Sequence, residues 1–146
     1  MKNGKSIRSN WMITACAAVL VLSLISLAAG RSDVADAAMR GDAAAVRTLL
    51  AQKADVNAPQ PDGTTALHWA VHHGDRELVD LLVRAGANVK AANRIGVTPL
   101  SMASLDGNAA IIDLLLKGGA NANERGPNGE TPLMMAARNG NPDAIN

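Results

Sequence analysis

The chain has 146 residues, enough for one domain, and its 48% hydrophobic and 18% charged content is that of a packed globular protein, which excludes disorder along its whole length. With Trp11 and Trp69 and no Phe or Tyr, the core must be built from Ala, Leu, Val, Ile and Met in small, closely spaced layers. The net charge of +1 is uneven: Lys2, Lys5 and Arg8 precede any acid, whereas 11 basic residues face 13 acidic ones from Arg31 onward, a balance of −2 that argues against nucleic acid as a partner.

Residues 1–30 read as an export segment. After the three positive charges, Trp11 to Ala29 carries none, and its apolar centre runs from Ile13 to Leu27. That is the pattern of a secretory signal peptide. Small residues at the −3 and −1 positions place cleavage after Ala28 or after Gly30. The alternative is an uncleaved membrane anchor, since residues 11–29 approach the length of a bilayer span, although Thr14, Ser23 and Ser26 dilute them. Either way the positive end stays inside, so the remainder is expected to be periplasmic or secreted, or held at the inner membrane. Ile13-Thr14-Ala15-Cys16 loosely resembles a bacterial lipoprotein box, but most of the apolar run follows the cysteine instead of preceding it. Cys16 is the one cysteine, so a processed chain could form neither a disulfide nor a thiolate site.

From Ser32 onward the sequence repeats at a fixed period. Gly63, Gly96 and Gly129 share a position, as do Thr65, Thr98 and Thr131, then Leu67, Leu100 and Leu133, then Ala70, Ala103 and Ala136. Val46, Val79 and Ile112 continue the series, with Leu49, Leu82 and Leu115 after them. The units are 32–61, 62–94, 95–127 and a partial 128–146. Each begins with a predicted short helix. Thr65, Thr98 and Thr131 are its N-caps, Pro99 and Pro132 stand where a missing N–H costs nothing, and Gly74, Gly107 and Gly140 close it in the left-handed conformation. A second helix carries Leu78, Leu81, Leu82 and Ala85 in one unit, and Ile111, Leu114, Leu115 and Gly118 in the next, with Gly86 and Gly119 ending it. Asp62-Gly63 and Asn128-Gly129 are turn dipeptides, so the connection to the next N-cap should fold back as a hairpin. One such unit cannot hide its apolar stripe, and stacking in a row hides it. The first unit has Ser32-Asp33-Val34 at the cap and Lys53 where the others have glycine, departures that suit an end unit with one wet face. The last stops at the start of a second helix, with Ile145 in the register of Val79 and Ile112, and more repeats or another domain are expected after it.

These residues resemble the ankyrin repeat. Its T-P-L-H-x-A signature stands here as Thr65-Ala66-Leu67-His68-Trp69-Ala70, Thr98-Pro99-Leu100-Ser101-Met102-Ala103 and Thr131-Pro132-Leu133-Met134-Met135-Ala136. The likeness covers about residues 32–146 and implies an all-α solenoid of stacked helix pairs with short hairpin loops. It further implies a non-catalytic module that binds another protein through a concave face of hairpin tips and first helices. On that likeness the variable, partner-facing positions are Asp62, Thr64, His72 and His73, then Ile95, Val97, Leu105 and Asp106, then Asn128, Glu130, Arg138 and Asn139. Ile95, Val97 and Leu105 would form an apolar patch in one unit, unless Val97 and Leu105 pack between units instead. Trp69 replaces a common leucine and is expected to fill space between repeats, or else to anchor a partner.

The three histidines of the chain, His68, His72 and His73, fall close together. The resemblance gives His68 a scaffold role, tying a helix start to the preceding turn. Spacing alone permits a metal reading, since His68 and His72 are at i and i+4, but no third protein ligand is in view and no metal or cofactor is expected. A His73 to Asp106 hydrogen bond across the stack is a further possibility. No nucleophile has a base at a recognisable spacing, Ser101 and Ser104 read as small residues that permit close stacking, and the glycines follow the turn period instead of forming a phosphate loop. The alternatives to a plain binding module are a substrate-recruiting part of a larger enzyme and an exported structural spacer.

Overall fold

The computed structural model describes residues 32–145. The expectations placed on residues 1–30, a cleaved signal or an anchor helix and the processing box at Cys16, lie outside the described residues. Among those described, seven α-helices and one turn of 3₁₀ helix occur, with no β-strand: α1 (Asp33–Met39), α2 (Ala43–Ala51), α3 (Ala66–His72), α4 (Arg76–Arg84), α5 (Pro99–Asp106), α6 (Ala109–Lys117), α7 (Pro132–Asn139) and the 3₁₀ turn Pro142–Ala144. No described helix is long and apolar enough to cross a membrane.

The helix starts are fixed by side chains. Thr98 and Thr131 accept from the backbone N–H of Ser101 and Met134, and Ser101 returns the bond by accepting from Thr98 N–H at 3.0 Å. The second helices have their own caps, which the repeat pattern contains but the sequence reading passed over: Asp42, Asp75 and Asn108 accept from Ala45, Leu78 and Ile111 N–H at 2.9, 3.0 and 3.2 Å. At the end of α2 the left-handed position that Gly86 and Gly119 fill elsewhere is held by Lys53, at φ 60°.

First helices pack in succession, α1 on α3, α3 on α5 and α5 on α7, each also against its own second helix, while α4 packs on α6. The matching positions of the period occupy matching layers. Val46, Val79 and Ile112 are all buried, as are Leu82 and Leu115, with Leu49 half-buried at the end of the row. Burying one such leucine contributes about 2 kcal/mol, and alanines at 66, 70 and 103, all fully buried, let the helices approach closely. Leu67 and Leu100 are 1% exposed, whereas Leu133, their counterpart in the last layer, is 57% exposed.

Polar groups join the layers as well. Asn57 donates to the Gly86 carbonyl at 3.1 Å and accepts from Asn88 N–H at 2.7 Å. The tips are tight turns closed by backbone bonds, Gln60 N–H to Thr64 carbonyl, Asn93 to Val97 and Gly126 to Glu130. One tip sits on the next through Arg94 N–H to the Asp62 carbonyl at 2.9 Å, a contact so close that a Cβ at Gly63 would lie 3.1 Å from Arg94 N. Among the described residues no buried side-chain nitrogen or oxygen lacks a hydrogen-bond partner.

Candidate functional site

The tips lie against the first helices, with the Val97 carbonyl bonded to His68 of α3 and Gln60 bonded to Trp69 of the same helix. His68 is buried there, 1% exposed. Its Nδ1 accepts from Thr65 N–H at 3.2 Å, which leaves the proton on Nε2 to donate to the Val97 carbonyl of the next unit at 3.0 Å. Burial pushes this imidazole below the usual value of 6.5, opposed by the Val97 bond and the charge of Asp62. Both ring nitrogens are therefore committed to the scaffold. A metal at His68 and His72 would have to displace one of those bonds, and among the described residues no group of three or more His, Cys, Asp or Glu side chains could hold an ion.

Trp69 is half-buried and polar at its edge. Its indole N–H donates to Gln60 Oε1 at 2.7 Å, and Gln60 Nε2 donates to Asp36 at 2.7 Å. The ring thus fills space between the first two units, as expected, but through a side-chain relay that spacing could not reveal. His73 lies stacked on it at 6.3 Å between centroids and His72 meets it edge-on at 5.7 Å.

The candidate residues divide into those that face outward and those that the stack uses. Asp62 is exposed, with its carboxylate accepting from Thr64 N–H at 2.9 Å and the Thr64 hydroxyl at 2.8 Å, and these two bonds hold it below the usual 3.8. Thr64 itself corrects the expectation of a partner-facing residue: it is buried, with its hydroxyl turned into the turn it stabilises. Val97 is half-buried and lends its carbonyl to His68, so the expected three-residue patch reduces to Ile95, 71% exposed, and Leu105, 47% exposed. His72, Asp106 and Asn128 are exposed; Glu130 is half-buried and ion-paired with Arg138 at 3.0 Å.

The bond expected between His73 and Asp106 is not formed. His73 reaches the other way, to the Met39 carbonyl at 3.1 Å, and Asn139 makes the corresponding bond to the Leu105 carbonyl. These positions end the first helices, and a donor there clasps the helix before it. Asp106, at the same position, has only acceptor oxygens when ionised, so it lacks the means to clasp the His72 carbonyl. Sequence reasoning missed Met39, 42% exposed at the end of α1. The signal was present: it lies one repeat period before His72 and two before Leu105.

Two hydroxyls here meet a potential base, Thr65 Oγ1 at 2.8 Å from His68 Nδ1 and Thr98 Oγ1 on the Glu124 carboxylate, but both threonines are buried N-cap residues whose contacts close helix starts. Ser101 donates its hydroxyl to the Thr98 carbonyl at 2.8 Å, and Ser104 is buried in the stack. What the arrangement offers is side-chain surface.

Two family models match the chain: one described as ankyrin repeats (3 copies) over residues 73–146, and one described as ankyrin repeats (many copies) over residues 34–83. No curated protein matches it.

Proposed function

The chain belongs to the ankyrin-repeat family, whose repeats generally act as protein–protein interaction modules, and from that premise we propose that residues 31–146 form the recognition domain of an exported, non-catalytic protein. The partner is another protein, held on the face of tips and first helices. Ile95 and Leu105 carry this reading. Of the three large apolar side chains exposed in a unit whose own core, Leu100, Ile111 and Leu115, is closed, these two are the most exposed, and Leu116 lies on the second helix. A leucine left in water when the fold has apolar places for its kind is a candidate anchor, because a few desolvated side chains supply most of the affinity of an interface. The export part of the proposal is supported by the charge and apolar pattern of residues 1–30.

Photo-crosslinking tests the reading. A photoreactive amino acid at Ile95 or Leu105 should capture a protein partner from envelope extract, while the same group at Arg84 or Lys117, exposed on the second helices, should capture none. Equal capture from both faces, or none from Ile95 and Leu105, would overturn it. Cell fractionation checks export: the chain should leave the cytoplasmic fraction, and should return to it when Trp11 to Ala29 is deleted.

A further inference from the structure

The first helices α3, α5 and α7 open on the same reciprocal cap, a threonine paired with the residue three places on, but the atom that accepts from the threonine N–H differs in each. In α3 it is His68 Nδ1 at 3.2 Å, and in α5 it is Ser101 Oγ at 3.0 Å. In α7 it is the thioether sulfur of Met134, at 3.5 Å. The return bond is long as well, with Met134 N–H at 3.4 Å from Thr131 Oγ1. Divalent sulfur is a weak acceptor, so this cap is the weakest of the three. Exposure separates them further: His68 and Ser101 are buried, whereas Met134 is 57% exposed.

We propose that Met134 is a site of reversible oxidation whose sulfoxide closes the cap that the thioether leaves slack. The oxidant is hydrogen peroxide. A sulfur lone pair attacks one peroxide oxygen, an S–O bond forms as the O–O bond breaks, and the proton on the attacked oxygen passes to the departing one. Sulfur gives up two electrons, and the rest of the peroxide leaves as water. The oxygen gained is a strong acceptor on the atom that already receives Thr131 N–H. An N–H···O bond needs about 2.7–3.2 Å, and the exposed, flexible methionine side chain lets sulfur draw back from the amide as oxygen takes its place. Glutamine is a residue that ordinarily answers a threonine cap from this position. A methionine sulfoxide carries its oxygen on the same atom of the side chain as glutamine does, the third beyond Cα. Oxidation of methionine disrupts where it sets a polar group into an apolar contact, but the sulfur of Met134 faces an amide. Met135 beside it is buried, and Met39, exposed in the first unit, meets Gln60 Nε2 at 3.6 Å and no helix start. The inference is independent of recognition by the tips.

The full chain is exposed briefly to hydrogen peroxide and mapped by mass spectrometry. Met134 should gain oxygen at least about tenfold faster than Met135. Exchange of the Thr131 and Met135 amides, followed by NMR, should then slow by about threefold or more, and methionine sulfoxide reductases should restore the original rates. Met134→Gln should slow the same amides without peroxide. Met134→Leu, which has no acceptor, should not respond to peroxide at α7 even though Met39 is still oxidised in it. Thermal melts establish that the variants keep the fold, and if Met134→Leu does not, Met134→Gln against the untreated chain decides. Faster or unchanged exchange in the oxidised chain would overturn the closing of the cap. Equal slowing in Met134→Leu would assign the effect to another methionine, and oxidation of Met135 as fast as Met134 would overturn the site.

Discussion

His68 joins two units with one ring, accepting from Thr65 within its own helix start and donating to Val97 in the next layer. That geometry requires the neutral imidazole, and burial lowers its pKa in the folded chain below the 6.5 of the unfolded one. Between those two values the unfolded chain takes up a proton that the folded chain refuses, so this contribution to stability is complete above about pH 6.5 and is lost as the pH falls below it. Urea midpoints measured from about pH 7.5 to 5 should decline, and His68→Gln should be weaker at the upper end yet flatter across the window. Lys53 is the other residue with a local consequence. A side chain in the left-handed region costs about 1–2 kcal/mol, part of which glycine returns as unfolded-chain entropy, so Lys53→Gly should raise stability by about 0.5–1 kcal/mol in denaturant unfolding. A loss would show that the lysine makes a contact outweighing its strain. His68's scaffold role was legible from its place three positions after a cap. The direction of His73 was not, because either neighbouring unit lies within reach and only the packed helices settle which carbonyl is free.

At the scale of the element, caps, prolines and left-handed glycines are local signals, and the first helices could be read from them with few errors. Asp42, Asp75 and Asn108 were equally readable as a series at the repeat period and equally local in action. The burial of Thr64 was hidden, since it depends on the tip folding over its own hydroxyl. The clasps between helix ends yield a prediction specific to this chain: Asp106→Asn supplies the donor that the third first helix lacks, and should add about 0.5–1.5 kcal/mol through a bond to the His72 carbonyl. An unchanged melting temperature would mean that the clasps hold geometry without contributing stability. Packing yields another. Leu82→Ala opens a cavity between layers and should cost about 2–5 kcal/mol, whereas Leu133→Ala, in the exposed last layer, should cost well under about 1 kcal/mol. Equal losses would contradict a row of layers in which each side chain is buried by its neighbour.

For the molecule as a whole, stacking follows from a period whose apolar positions fall in two short helices, neither of which can cover itself. The exposed apolar positions of the proposed face were legible as far as Ile95 and Leu105, because both break the polar pattern expected of exposed positions. Met39 was equally legible by position, one repeat period before His72, but the degenerate first unit hid that register. Amide hydrogen exchange of the chain, alone and saturated with the partner captured at Leu105, tests recognition by this face most directly. Exchange should slow at the tips around Asp62, Ile95 and Asn128 and at the ends of α1, α3 and α5, with α2, α4 and α6 unchanged. Protection confined to α2, α4 and α6 would contradict it.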